Sequence, residues 1–106
     1  MKEILINEVI YRIGKNAQDN TQLIKDSDKN WYWFHLDKFP SCHVIVCKDE
    51  LTELEINTAG NLVKENSKYK FNNIGIIYSK IDNILHGQEP GSVHFKSNRQ
   101  VKLINI

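Results

Sequence analysis

Several residue types and patterns are scarce in this sequence of 106 residues. It contains two cysteines, two prolines and five glycines, and its longest apolar runs have only four or five residues. Runs this short exclude a membrane-spanning helix, which needs about 20 apolar residues. Glu3 and Glu8 interrupt the apolar start of the chain, which excludes a signal peptide. Since no Pro-, Gly- or Ser-rich linker divides the sequence, we predict a single domain over residues 1–106.

The two cysteines, Cys42 and Cys47, are five positions apart within one apolar segment. An odd offset along a strand directs two side chains to opposite faces, so a disulfide between them has poor geometry. We therefore expect two free, buried thiols. Such thiols are typical of a reducing compartment, which predicts a cytoplasmic location.

Charge is nearly balanced overall but unevenly distributed. The net charge is +1, yet residues 1–63 hold seven Lys or Arg against ten Asp or Glu, and residues 64–106 hold seven against three. The basic second half suits an acidic partner such as a nucleic acid. An ordinary solvated surface is the alternative, and charge by itself favours it.

Apolar and aromatic segments predict mainly β-structure. Strands are expected at residues 4–6, 9–13, 31–36, 43–48 and 74–78, with a terminal hairpin of residues 92–96 and 99–106 turning at Ser97-Asn98. Residues 14–21 are rich in Gly, Asn and Asp and predict a shaped loop, and residues 22–26 predict a short helical turn.

One helix is predicted, over about residues 49–66, because apolar residues recur at helical spacing between Leu51 and Val63. Thr52 and Glu55 have the spacing of a capping box at its start. The predicted fold class is therefore α+β: a mostly antiparallel, strongly bent sheet covered on one face by one long helix.

The candidate chemical groups follow no catalytic motif. Paired-carboxylate, P-loop, Gly-x-Gly-x-x-Gly and Cys-x-x-Cys patterns are all missing, so no catalytic residue is predicted. If the strands of His35 and His43 pair, their imidazoles approach, and with Cys42 or Cys47 they form a conceivable zinc site. The alternative is that both histidines serve the architecture through local hydrogen bonds, and we expect no metal and no cofactor.

Trp33 and Phe34 are neighbours on a predicted strand, so they point to opposite faces, and His35 is expected to share the face of Trp33. In a two-layer fold both cannot reach the core. One reading places an aromatic ring at the surface, beside Lys and Arg, as a stacking platform for unpaired bases. Packing in the core and at its rim is the other reading.

Three motifs together resemble the NFACT-R domain family (DUF814). They are Gly14-Lys15-Asn16 followed by Asn20, then Trp33-Phe34-His35, then Pro40-Ser41-Cys42-His43. The resemblance covers about residues 4–106 and is strongest to the single-domain eukaryotic-type branch related to coiled-coil proteins. Two departures stand out: Trp31 occupies the family's acidic position, and the Pro-Gly-Ser-His segment has lost its glycine.

The resemblance implies a nucleic-acid-binding module, most simply an RNA-binding one, related to ribosome quality-control factors. In larger relatives the domain contacts tRNA on the large ribosomal subunit. We therefore expect tRNA or rRNA as partner, with DNA and the ribosome as further candidates and no membrane. The alternatives are a module that docks on ribosomal or translation proteins and an RNA-modifying or metal-dependent enzyme. The candidate binding residues are Lys15, Asn16, Asn20, Trp33, His35, His43, Lys64, Lys68, Lys70, Lys96, Arg99 and Lys102.

Overall fold

A six-stranded antiparallel sheet forms the centre of the structure, a computed structural model that describes all of residues 1–106. Its strands lie in the order β1-β2-β4-β3-β5-β8, and a separate hairpin pairs β6 with β7. The predicted α+β class and antiparallel sheet are confirmed. In chain order the elements are β1 (Lys2–Ile6), β2 (Val9–Ile13), α1 (Ala17–Lys25), β3 (Tyr32–Leu36), β4 (Val44–Val46), α2 (Glu53–Glu65), β5 (Gly75–Lys80), β6 (Ile84–His86), β7 (Val93–Phe95) and β8 (Lys102–Asn105).

The prediction of one long helix over about 49–66 is wrong in two respects. The helix α2 begins at Glu53, because Thr52 is its N-cap and forms a complete capping box with Glu55. Lys48 Nζ also donates to Glu55, at 2.8 Å, which ties the start of the helix to the end of β4. The second respect is that another helix, α1, occupies residues for which the sequence predicted a loop over 14–21 and only a short helical turn over 22–26.

The two helices cover opposite faces of the sheet. On one face, α2 packs over β3 and β4, above a core that includes Phe34, Leu36 and Val46. On the other, α1 and the β6–β7 hairpin enclose a smaller apolar cluster around Trp33 and Ile45. Because both faces are covered, Trp33 is 1% exposed and Phe34 0%. Of the two readings, the surface platform is therefore wrong for these residues and packing in the core is confirmed.

The α1 helix exists because Asn16 caps it. The Asn16 side chain accepts a hydrogen bond from the backbone N–H of Asp19 at 2.8 Å, so the polar segment predicted as a loop starts a nine-residue helix. Only Leu23, Ile24 and Asn20 of that helix are buried. Most of its other residues are polar, so the segment has the composition of a loop.

The predicted terminal hairpin is also wrong. β7 pairs with β6, while β8 pairs with β5 at the edge of the main sheet. Buried Asn83 redirects the chain between them: its side chain accepts from the backbone N–H of Ser97 and donates to the Ser97 carbonyl, both at 2.9 Å. A short 3-10 turn at Asn98–Gln100 then leads to the main sheet. Turn chemistry predicts where a chain reverses but not which strand it joins.

The cysteines lie on opposite sides of the sheet. Cys42 packs against the α2 cluster and Cys47 against the α1 cluster, and both are free thiols. Burial raises the pKa of the Cys42 thiol to about 11 and also raises that of Cys47. The predicted opposite orientation is confirmed.

Neither helix has the length and apolar composition required to cross a bilayer.

Candidate nucleic-acid interface

A cleft of about 770 Å³ lies at the end of the sheet where β2 ends and β4 begins. The loop before α1 borders it, as does the loop after α2. Of the predicted binding residues, Lys15, Asn16, Asn20, His35, His43 and Lys68 line this cleft. The lining also includes Lys2, Ile13, Gly14, Ala17, Pro40, Ser41, Cys42, Asn66, Ser67, Tyr69, Pro90 and Gly91.

Gly14, Asn20 and His43 form the inner wall of the cleft. The Gly14 N–H donates to the His43 carbonyl at 2.9 Å, and Asn20 Oδ1 accepts from the His43 N–H at 3.4 Å. A Cβ atom at position 14 would overlap the Asn20 side chain. The first motif thus requires glycine for close approach, and Asn20 joins α1 to β4. Asn20 is 7% exposed, so its role is structural.

The floor of the cleft is a cluster of Trp33, His35 and His43. The Trp33 and His35 rings stack at 5.5 Å, and the His43 ring meets both edge-on at 5.4 and 5.1 Å. The predicted shared face of Trp33 and His35 is therefore confirmed. Buried Trp33 lies beneath the surface that a ligand would touch, whereas His35 and His43 line the cleft.

Both histidines are held neutral at physiological pH. Burial lowers the pKa of His43 to about 3, with the neighbouring His35 contributing, and burial lowers the pKa of His35 as well. His35 Nδ1 lies 2.6 Å from the Leu36 carbonyl oxygen. Since a carbonyl can only accept, Nδ1 carries the proton and Nε2 of neutral His35 is an acceptor.

Two polar atoms of this cluster, His43 Nδ1 and Trp33 Nε1, are buried without a hydrogen-bond partner in the protein. The two imidazoles approach as the zinc hypothesis required, but no group of three or more His, Cys, Asp or Glu side chains is placed to hold a metal ion. Cys42 Sγ is directed toward the Val63 carbonyl, 4.0 Å away. The geometry therefore offers His35 and His43 no third ligand of these types.

The structure divides the predicted basic residues into two groups. Lys15 and Lys68 are exposed at the cleft, where Lys2 joins them, and none of the three makes a salt bridge. The others, which do not line the cleft, are Lys64, Lys70, Lys96, Arg99 and Lys102.

Some of that second group have other contacts. Lys64 Nζ donates to the Ile106 carbonyl at 3.1 Å, and Lys96 lies 3.6 Å from Asp82. Lys102 lies on the edge strand β8. The basic residues of the second half of the chain therefore do not form one surface, because only Lys68 among the predicted ones lines the cleft.

Sequence reasoning missed Lys2, Ser41 and the Asn66–Tyr69 loop apart from Lys68. Lys2 reaches the cleft because β1 pairs with β2 in a register that places it opposite Ile13. No local pattern specifies that register. The alternation Lys68-Tyr69-Lys70-Phe71 is a signal that was available, since aromatic residues between lysines are typical of nucleic-acid surfaces.

Comparisons with known proteins agree with this architecture. Residues 5–97 match a family model described as the NFACT protein RNA binding domain. The C-terminal part of the fibronectin/fibrinogen-binding protein from Streptococcus suis superposes with a TM-score of 0.89 over 98% of this chain and 44% of that one, at 21% identity. That similarity shows a shared fold.

Two curated relatives are coiled-coil domain-containing protein 25 of Mus musculus and of Danio rerio. The first is 28% identical over 113 aligned residues, 95% of this chain and 54% of the relative. The second is 30% identical over 104, 89% of this chain and 50% of the relative. The chain thus spans about half the length of these relatives, which match the eukaryotic-type branch that the motifs indicated. With the family model covering most of its length, the chain belongs to the NFACT protein RNA-binding domain family.

Proposed function

We propose that this domain binds structured RNA in the cleft at the end of its sheet. One observation carries the proposal. Three exposed lysines from separate parts of the chain, Lys2, Lys15 and Lys68, border a cleft whose polar floor is electrically neutral. Family membership supports RNA as the partner.

The lysines supply affinity through phosphate contacts. Each neutralised phosphate releases counterions, so binding weakens as the salt concentration rises. Asp19, the acidic residue of the first turn of α1, pairs with the Met1 amino group at 2.8 Å. That contact and the Lys15 backbone N–H lower the pKa of Asp19. The Met1 amino group thus offsets the charge of the carboxylate that accepts from the Lys15 backbone N–H.

His35 contributes selectivity rather than charge. Its protonated Nδ1 is engaged by the Leu36 carbonyl, which leaves Nε2 as an acceptor on the cleft floor. An acceptor suits the ribose 2′-hydroxyl, the group that distinguishes RNA from DNA. We therefore propose a preference for RNA over DNA.

Within this proposal the RNA is tRNA and the setting is ribosome quality control in the cytoplasm. The resemblance to larger family members supports the tRNA and ribosome assignments. The two free thiols support a reducing compartment.

The test is fluorescence anisotropy with labelled tRNA. Three phosphate contacts predict that affinity falls roughly 40-fold between about 50 and 200 mM salt. Replacing Lys15 and Lys68 together with Glu is expected to weaken binding at least about tenfold and to lower the salt slope by about two. The matched control, Lys96→Glu with Lys102→Glu, has the same charge change outside the cleft and is expected to alter affinity less than about twofold.

Equal weakening by both double variants would contradict the cleft and favour a general charge effect. A salt-independent affinity would contradict the phosphate contacts altogether. A DNA competitor of matching sequence and shape tests the proposed preference for RNA over DNA. Equal competition by DNA and RNA would contradict the role given to His35.

A further inference from the structure

Three aromatic side chains at and beyond the edge of the cleft form a continuous group, called here the aromatic shelf: Phe39, Tyr69 and Phe71. The Phe39 and Tyr69 rings stack at 4.4 Å and 20°. The Phe71 ring lies 5.8 Å from Phe39 and 6.2 Å from Tyr69. The shelf thus has an inner stacked pair and one outer ring.

The outer ring is presented to solvent. Phe71 is 56% exposed, whereas Phe39 and Tyr69 are half-buried and pack against the α2 cluster. Phe39 and Tyr69 fix the shelf to the hydrophobic core, whereas Phe71 does not pack against that core. Phe71 therefore presents an apolar ring to solvent beside two rings that are fixed to the core.

The shelf is continuous with the cleft. Tyr69 and Lys68 line the cleft, while Phe39 and Phe71 line a neighbouring pocket of about 310 Å³ together with Lys38. A ligand that leaves the cleft past Tyr69 therefore meets Phe71.

Positive charge surrounds the shelf. Lys68 and Lys70 flank Tyr69 in the chain, and Lys38 precedes Phe39. All three lysines are exposed and none makes a salt bridge, while Asp37 is the one carboxylate that lines the neighbouring pocket. This balance favours a polyanion that also has flat apolar surfaces.

We propose that the aromatic shelf binds unpaired bases at a single-stranded RNA end that extends from the duplex held in the cleft, with a base stacked on Phe71. The inference rests on the proposed function, because the cleft orients the strand. Every base has a π-face, so stacking on an aromatic ring tolerates any sequence, and lysines beside the ring contact the phosphates. The shelf thereby selects RNA with a free single-stranded end over a blunt duplex.

The experiment measures affinities for four short RNAs: a blunt hairpin, the same hairpin with a four-nucleotide 3′ or 5′ overhang, and the better overhang made abasic. The wild type is expected to bind one overhang at least about fivefold more tightly than the blunt hairpin, the lower range for one stacked base. The abasic overhang is expected to lose this gain, because it retains the phosphates but not the rings.

Phe71→Ala is the decisive variant. It is expected to remove the overhang gain while leaving affinity for the blunt hairpin within about twofold. Leu54→Ala, at a residue that is 65% exposed on α2, is the matched control and is expected to retain the gain. Because Phe71 lies outside the buried core, its replacement is expected to leave the melting temperature nearly unchanged.

The outcomes separate the two proposals. If the blunt hairpin binds and no overhang adds affinity, or if Phe71→Ala weakens both RNAs equally, the shelf inference is overturned and the proposed function stands. If the wild type binds no hairpin, the proposed function fails. A single-stranded eight-nucleotide RNA then decides the shelf: weaker binding by Phe71→Ala supports it, and equal or absent binding overturns it.

Discussion

The two faces of the sheet are packed with different chemistry. The α2 face carries a cluster of 13 buried apolar residues, in which Phe34 and Tyr78 stack at 4.8 Å. The α1 face has an apolar cluster of six, and the buried polar residues Asn20, His43, Ser79 and Asn83 lie on this side. The two unpartnered buried polar atoms, in Trp33 and His43, lie there as well.

This difference assigns separate tasks to the two faces. Apolar burial is the main source of folding free energy, and the α2 face has more of it. Buried polar groups add little net stability but hold particular neighbours in particular positions. The α1 face therefore shapes the cleft, while the α2 face holds the sheet together.

The largest expected effect compares the two faces directly. Phe34→Ala removes a fully buried ring from the α2 face and is expected to lower the free energy of unfolding by about 3–5 kcal/mol. Trp33→Phe, on the α1 face, removes a buried donor without a partner and is expected to cost less than about 1.5 kcal/mol. Chemical denaturation measures both. Equal losses would contradict the division of tasks.

A second prediction uses pH. In the unfolded chain His43 has its ordinary pKa near 6.5, and in the folded chain its pKa is about 3. Below pH 6.5 the unfolded state binds the proton more readily, so stability is present above that pH and is lost as pH falls toward 3. The expected loss is about 2 kcal/mol between about pH 7 and pH 5, measured by denaturation at each pH.

Two histidine variants test whether His43 is the source of this pH dependence. His43→Gln removes the titrating group and is expected to abolish most of the pH-dependent loss. His94→Gln, at an exposed position on β7, is expected to retain it in full. If His43→Gln shows the wild-type pH dependence, the buried neutral imidazole is not its source.

The smallest expected effect tests the wall of the cleft. Gly14→Ala forces Asn20 away from its place, and we expect a loss of about 1–2 kcal/mol together with weaker tRNA binding. In an Asn20→Ala background the same change is expected to cost much less, because the side chain that clashes is gone. A double-mutant cycle by thermal denaturation measures this coupling. Additive losses would mean that Gly14 and Asn20 act independently.

Local patterns predicted the parts of the fold that local physics controls. Asn7 and Glu8, both with positive φ, form the tight turn between two strands whose β-rich composition was clear. The capping-box spacing of Thr52 and Glu55 marks the true start of α2, whereas the predicted helix began a few residues too early, at about residue 49. Only the end of α1 was predicted, as a short helical turn over 22–26, because the polar first half of the helix resembles a loop. Its stability comes from the Asn16 cap and from burial of Leu23 and Ile24.

Motifs identified the site better than charge did. The glycine-asparagine motif and the two histidines converge on the cleft. Of the seven basic residues predicted to bind, six lysines and one arginine, only two border it. A charge count along the chain ignores which face each strand and loop presents. Among these aromatic residues, Phe71 is the exposed one, whereas Trp33 and Phe34 are both buried.

The sequence by itself determined the family, the α+β class, the opposite orientations of Cys42 and Cys47, and the shared face of Trp33 and His35. These follow from residue identity and from the two-residue period of a strand, which act over short distances. Only the tertiary structure decided which lysines meet at one cleft, that both faces of the sheet are covered, and that β8 joins β5 rather than β7. Those outcomes depend on strand register and on packing between residues far apart in the chain, where no local pattern carries the information.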